Sequence, residues 1–70
     1  MEKYSVYILF KNGRDMQFET VENPLDIEPI QINGIDMVIT KDKYVVNLLA
    51  AERIEVVEIG NGLVDVLTAK

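Results

Sequence analysis

Residues 4–20 read Tyr4-Ser5-Val6-Tyr7-Ile8-Leu9-Phe10-Lys11-Asn12-Gly13-Arg14-Asp15-Met16-Gln17-Phe18-Glu19-Thr20, and their reading decides the fold. Tyr4, Val6, Ile8 and Phe10 fall on one side of an extended chain. Met16, Phe18 and Thr20 fall on one side of the next, with Asp15, Gln17 and Glu19 opposite them. This period of two is that of a half-buried antiparallel strand pair. Asn12-Gly13 lies between the two runs, and both residues tolerate the positive φ that type I′ hairpin turns demand. The same dipeptide recurs at Asn33-Gly34 and Asn61-Gly62, again between alternating apolar flanks, so three hairpins are expected.

Outward from this hairpin, residues 22–29 form a loop, because Pro24 and Pro29 remove two backbone donors and restrict the residues before them. Leu25 and Ile27 are expected to fold back over the core. A short strand at Ile30 to Ile32 leads through the second Asn-Gly into Ile35 to Thr40, and Thr40-Lys41-Asp42-Lys43 makes a polar turn. The stretch 44–59 is mixed. Leu48 to Arg53 are good helix formers behind a candidate N-cap, Asn47, while Tyr44-Val45-Val46 and Ile54 to Ile59 favour strand. It reads as strand, one helical turn, strand, with a single long helix as the competing reading. Ile54–Ile59 then pairs with Leu63–Leu67 through the third Asn-Gly, leaving Thr68-Ala69-Lys70 as a frayed tail.

The chain has 70 residues, 49% of them hydrophobic and 27% charged, which is a globular composition with room for one domain spanning 1–70. A chain this short buries only about 60% of the surface it exposes when unfolded, so small domains lean on disulfides, metals or partner subunits. With no Cys and no His, disulfides and Cys- or His-built zinc sites are excluded, and no cofactor is expected. The apolar run from Tyr4 to Phe10 is far shorter than the roughly 20 residues of a membrane-spanning helix, so no membrane partner is expected and the cytoplasm is the default.

Tight turns joining about six short strands suggest a small closed or nearly closed barrel. Strand, helical turn, strand near the C-terminus resembles SH3-like barrels. Phe10-Lys11-Asn12-Gly13-Arg14 followed by Met16 and Phe18 is similar to the first hairpin of the Sm motif. That motif continues with a second glycine, an Asp and a Met-Asn pair. Gln17 to Asn23 has neither, so the Sm RNA site is not carried over. The resemblance implies an all-β fold: a small SH3-like or Sm-like barrel of about six short strands with one short helical turn near residues 47–53. In style the whole chain resembles the small barrel proteins of Gram-positive bacteria and their phages or prophages.

The charge balance of 7 basic against 12 acidic residues, a net of −5, argues against binding to nucleic-acid phosphates. Between Arg14 and Lys41 lie six acids and no base: Asp15, Glu19, Glu22, Asp26, Glu28 and Asp36. Such a span keeps a small protein soluble and guards sheet edges. Its functional alternative is a surface that docks on a basic partner. Catalysis has little to work with. Ser5 lacks a glycine elbow, Gly60-Asn61-Gly62 lacks the Lys and helix start of a phosphate loop, and Asp26 with Glu28 reads as a solvated pair rather than an acid–base or cation site. Tyr4, Tyr7 and Tyr44 are spaced as strand residues, which favours packing over a peptide groove.

Apolar residues occur on both faces of several strands: Tyr7 and Leu9 oppose Val6 and Ile8, Val57 opposes Val56, and Leu67 opposes Val66. The surplus wants cover from loops or from another chain. The expected function is therefore a non-enzymatic protein–protein interaction or assembly module, a homo-oligomer or one bound to an obligate protein partner. Glu19, Glu22, Asp26, Glu28, Asp36, Tyr7 and Leu9 are the candidate protein-binding residues. The alternative is an acidic phage-type inhibitor that blocks a basic nucleic-acid-binding site on a host protein.

Overall fold

Alternation places the chain as the pattern requires. The computed structural model describes residues 3–69. It contains seven strands: β1 (Tyr4–Phe10), β2 (Asp15–Thr20), β3 (Ile30–Ile32), β4 (Ile35–Ile39), β5 (Val45–Asn47), β6 (Ala51–Glu58) and β7 (Gly62–Thr68). They form two antiparallel sheets, of order β2-β1-β6-β7 and β3-β4-β5. The fold is thus a small all-β one, an open barrel whose hydrogen-bonded ladders divide into two sheets.

The first hairpin has the expected register, with Val6 opposite Phe18 and Ile8 opposite Met16. β1 is flanked on its other side by β6, where Val6 meets Val56 and Ile8 meets Ile54. These side chains form the inner face of the four-stranded sheet. Val38 and Val46, paired on the three-stranded sheet, pack against them. The resulting core is Val6, Ile8, Phe18, Val38, Val46, Ala51, Ile54 and Val56, with Tyr4, Phe10, Leu25, Ile27 and Leu48 half-buried around it. Leu25 and Ile27 therefore fold over the core as expected. Tyr44 stacks on Phe18, ring centroids 4.3 Å apart, and closes one end.

The helical turn expected near 47–53 is not formed there. Residues 48–50 make a hydrogen-bonded turn, and Ala51 to Arg53 already belong to β6. Asn47 does cap, its side chain accepting from the N–H groups of Leu49 (2.9 Å) and Ala50 (3.1 Å), but the chain turns once and returns to the sheet. Pairing of Phe10 with Ala51 and of Leu9 with Arg53, together with burial of Ala51, outweighs helix propensity. The one 3-10 turn among the described residues is Pro24–Asp26 instead, where the Asn23 side chain accepts from Leu25 N–H (2.9 Å). Nor does the tail fray where expected: Thr68 lies in β7 and Ala69 N–H donates to Glu52 O (2.8 Å), while Lys70 lies outside the described residues.

All three hairpins exist, but only Asn33-Gly34 has positive φ at both residues (54° and 78°), as a type I′ turn requires. In the first, Gly13 N–H donates to Phe10 O and Phe10 N–H to Arg14 O, with Gly13 alone at positive φ (88°). The turn between β4 and β5 repeats that pattern: Lys43 N–H donates to Thr40 O, Thr40 N–H to Tyr44 O, and the residue at positive φ (75°) is Lys43. A left-handed non-glycine residue is strained by about 1–2 kcal/mol, and glycine gives back part of that through its freedom in the unfolded chain. Lys43→Gly should therefore raise stability by roughly 0.5–1 kcal/mol, read as a higher urea midpoint at unchanged slope. An unchanged or lower midpoint would show that the turn relaxes without strain.

Candidate interaction surfaces

In the three-stranded sheet, cross-strand partners share a face. Ile30 pairs with Met37 and Ile32 with Ile35, while Met37 pairs with Asn47 and Ile39 with Val45. These seven residues lie on the side opposite Val38 and Val46, away from the core. The face carries six apolar side chains, one amide and no charge. Ile30, Ile32, Ile39 and Val45 keep 38–57% of their surface exposed. Gln31 and Asp36, the polar residues between them, pair with each other on the other side, so this end of the sheet presents its apolar set outward.

The outer face of the four-stranded sheet is mixed. Ser5, Tyr7 and Leu9 lie on it beside Glu19, Gln17 and Asp15 of β2 and beside Val57, Glu55 and Arg53 of β6. Tyr7 donates its hydroxyl proton to Asp15 Oδ2 (3.0 Å), and this bond, with slight burial and the charges of Asp15 and Glu55, raises the phenol above its ordinary value. Gln17 donates to Ser5 Oγ (2.8 Å), and Arg53 pairs with Glu55 (2.5 Å). Tyr4 lies on the opposite face of β1 from Tyr7, and Tyr44 is stacked on Phe18, so the three tyrosines form no common surface.

The candidate acids divide. Glu19 shares the outer face with Tyr7 and Leu9. Glu22 follows β2, and its Oε1 accepts from Lys41 N–H (3.1 Å). Asp26 and Glu28 lie exposed in the loop before β3, and Asp36 is on β4 opposite Gln31. Among the described residues no three of His, Cys, Asp or Glu gather as a metal site would need.

A cleft of about 250 Å³ opens between the sheets, lined by Pro24, Leu25, Ile27, Pro29, Val38, Leu48, Asp65, Val66 and Leu67. Its walls alternate in sequence, since Leu25 and Ile27 are half-buried while Asp26 and Glu28 point to solvent. Beside it runs β7, a free edge whose Leu63, Val64, Val66 and Leu67 are all exposed. Neither the outward face at 30–47 nor this edge stands out in the sequence as a site. The signal available was Ile30, Ile32, Ile35, Met37 and Ile39 alternating with Gln31 and Asp36, a pattern that by itself implies the apolar set is buried.

No protein family, no curated protein and no solved structure matches this chain. No helix among the described residues is long and apolar enough to cross a membrane.

Proposed function

We propose that the protein is a non-enzymatic interaction module that self-associates through the outward face of its three-stranded sheet. The observation that carries this reading is the uncharged set Ile30, Ile32, Ile35, Met37, Ile39, Val45 and Asn47. A chain with a net charge of −5 repels its own copies, and this face holds none of the acids among the described residues, so two copies can meet here without opposing like charges. Two such faces stack about 10 Å apart with interdigitated β-branched side chains, as sheets do in sandwiches. Shielding them supplements a core of eight buried apolar residues among those described.

Three strands of at most five residues make a patch of roughly 14 by 17 Å, smaller than the roughly 800 Å² that each partner gives to a standard interface. The dimer should therefore dissociate in the micromolar range. Sedimentation from about 1 µM to about 1 mM should show the mass rising from one chain to two. Ile39→Lys places an ammonium against the apolar side chains at the Val45 end of the contact, and should weaken association by about a hundredfold or more while leaving the monomer folded, since Ile39 is exposed there. A constant monomer mass for the native chain across that range would overturn the proposal.

A further inference from the structure

β7 has the properties of a strand-addition site. Ala69 N–H donates to Glu52 O, and the register runs Arg53–Thr68, Ile54–Leu67, Glu55–Val66, Val56–Asp65. By the alternation of an antiparallel ladder, residues 65, 67 and 69 turn their backbone groups toward β6, while those of Val66 and Thr68 face away from the sheet. Val66 bears this out: its N–H donates to Oδ1 of its neighbour Asp65 (3.0 Å). Free edges are normally blunted by Lys, Pro or several charges. β2, the other edge of this sheet, carries Asp15, Gln17 and Glu19, whereas β7 has no Lys and no Pro, and Asp65 is its one charge.

The electrostatics select the occupant. Asp65 lines the cleft from β7, and Asp26 and Glu28 sit exposed in the loop that supplies Leu25 and Ile27 to the opposite wall. Among the described residues no Lys or Arg lines the cleft. A second copy of β7 would bring these carboxylates toward their own kind, so a cationic partner fits better.

We propose that β7 takes up an extended segment of another protein as a fifth strand, and that this segment carries an apolar residue and a Lys or Arg two positions apart. Asp65 and Leu67 are two apart on the same face, so the apolar side chain lies beside Leu67 against the cleft and the cation beside Asp65. On binding, Val66 N–H passes from the Asp65 carboxylate to a carbonyl of the incoming strand, which frees the carboxylate for the cation. Main-chain bonds then supply affinity, and the cleft with its acidic rim supplies selectivity. This edge belongs to the other sheet from the self-association face, so the two readings fail separately.

The test is an NMR titration of the full chain with a peptide of about ten residues alternating Val or Leu with Lys, and with the same peptide carrying Glu for Lys. The Lys peptide should shift the Val66 and Thr68 amides and slow their exchange, and the Glu peptide should bind at least about tenfold more weakly. Val66→Pro removes an N–H that faces away from the sheet, a position where proline is tolerated, and should weaken the Lys peptide by about tenfold or more. Asp65→Lys should reverse the preference between the two peptides, which decides the matter if the proline variant fails to fold. Equal binding of both peptides, undiminished binding by a folded Val66→Pro chain, an unchanged preference in Asp65→Lys, or shifts confined to the Ile30–Val45 face would each overturn the proposal.

Discussion

Ile54→Ala is expected to leave the chain largely unfolded at room temperature. Ile54 is 1% exposed and sits mid-β6, opposite Ile8 on one side and Leu67 on the other. Removing three carbons from such a site forfeits their transfer free energy and leaves a cavity, together about 2–5 kcal/mol. A domain of this size has a net stability of about 3–5 kcal/mol, so one substitution consumes most of it. Loss of the β circular dichroism and of the tyrosine near-ultraviolet signal at low protein concentration would report the unfolding. Leu63→Ala is the matched control. Leu63 is 59% exposed on β7, and its truncation should move stability by no more than about 0.5 kcal/mol. A cooperative Ile54→Ala transition at the native midpoint would mean that the two sheets do not share this core.

The contrast between these leucine and isoleucine sites bears on what was legible beforehand. In β1 and β2 local pattern and burial agree: alternation assigns Val6, Ile8 and Phe18 inward and Asp15, Gln17 and Glu19 outward, and both assignments hold. Between Ile30 and Ile39 they disagree. The alternation itself is real, but which face meets the core is set by Val38 and Val46, and a shift of one residue exchanges the faces of a whole strand. Periodicity gives the period and not its phase, so the outward apolar face could not be read from the chain. The turn at 48–50 was hidden for a different reason, since Leu48 to Arg53 carry helix-forming side chains and only the long-range pairing of Ala51 with Phe10 returns them to a strand. The surplus of apolar residues over what one small core can hold was legible, whereas its location was not. The acidic span behaved likewise: a run without a base in sequence becomes two separate placements, Asp15 and Glu19 on an outer sheet face and Asp26 and Glu28 beside the cleft.

The two sheets are also joined by a polar latch, and acid should open it. Asp42, in the β4–β5 turn, accepts through Oδ1 from the hydroxyls of Thr20 (2.6 Å) at the end of β2 and Thr40 (2.7 Å) just after β4. Both threonines are buried, and each hydroxyl oxygen accepts in turn, Thr20 from Glu22 N–H and Thr40 from Tyr44 N–H. The Thr20 bond first, and the Thr40 bond second, hold the Asp42 carboxyl below its ordinary value of 3.8, against a smaller opposing effect of desolvation. With the folded value below the unfolded one, the unfolded chain takes up the proton first as pH falls. The latch therefore contributes in full above the ordinary carboxylate range, and its contribution is lost as pH drops from about 4 through the folded value. Asp42→Ala strips both buried hydroxyls of their acceptor and should lower the melting midpoint at neutral pH by about 4–8 °C or more. Asp42→Asn keeps a neutral oxygen in place, so it should cost less at pH 7 and flatten the dependence of the midpoint between about pH 4 and pH 2. Thermal melts of the three chains across that range separate the contributions. If the native and Asp42→Asn midpoints fell in parallel with acid, the charge on Asp42 would have no part in holding β2 to the β4–β5 turn, and the acid sensitivity would belong to the other carboxylates.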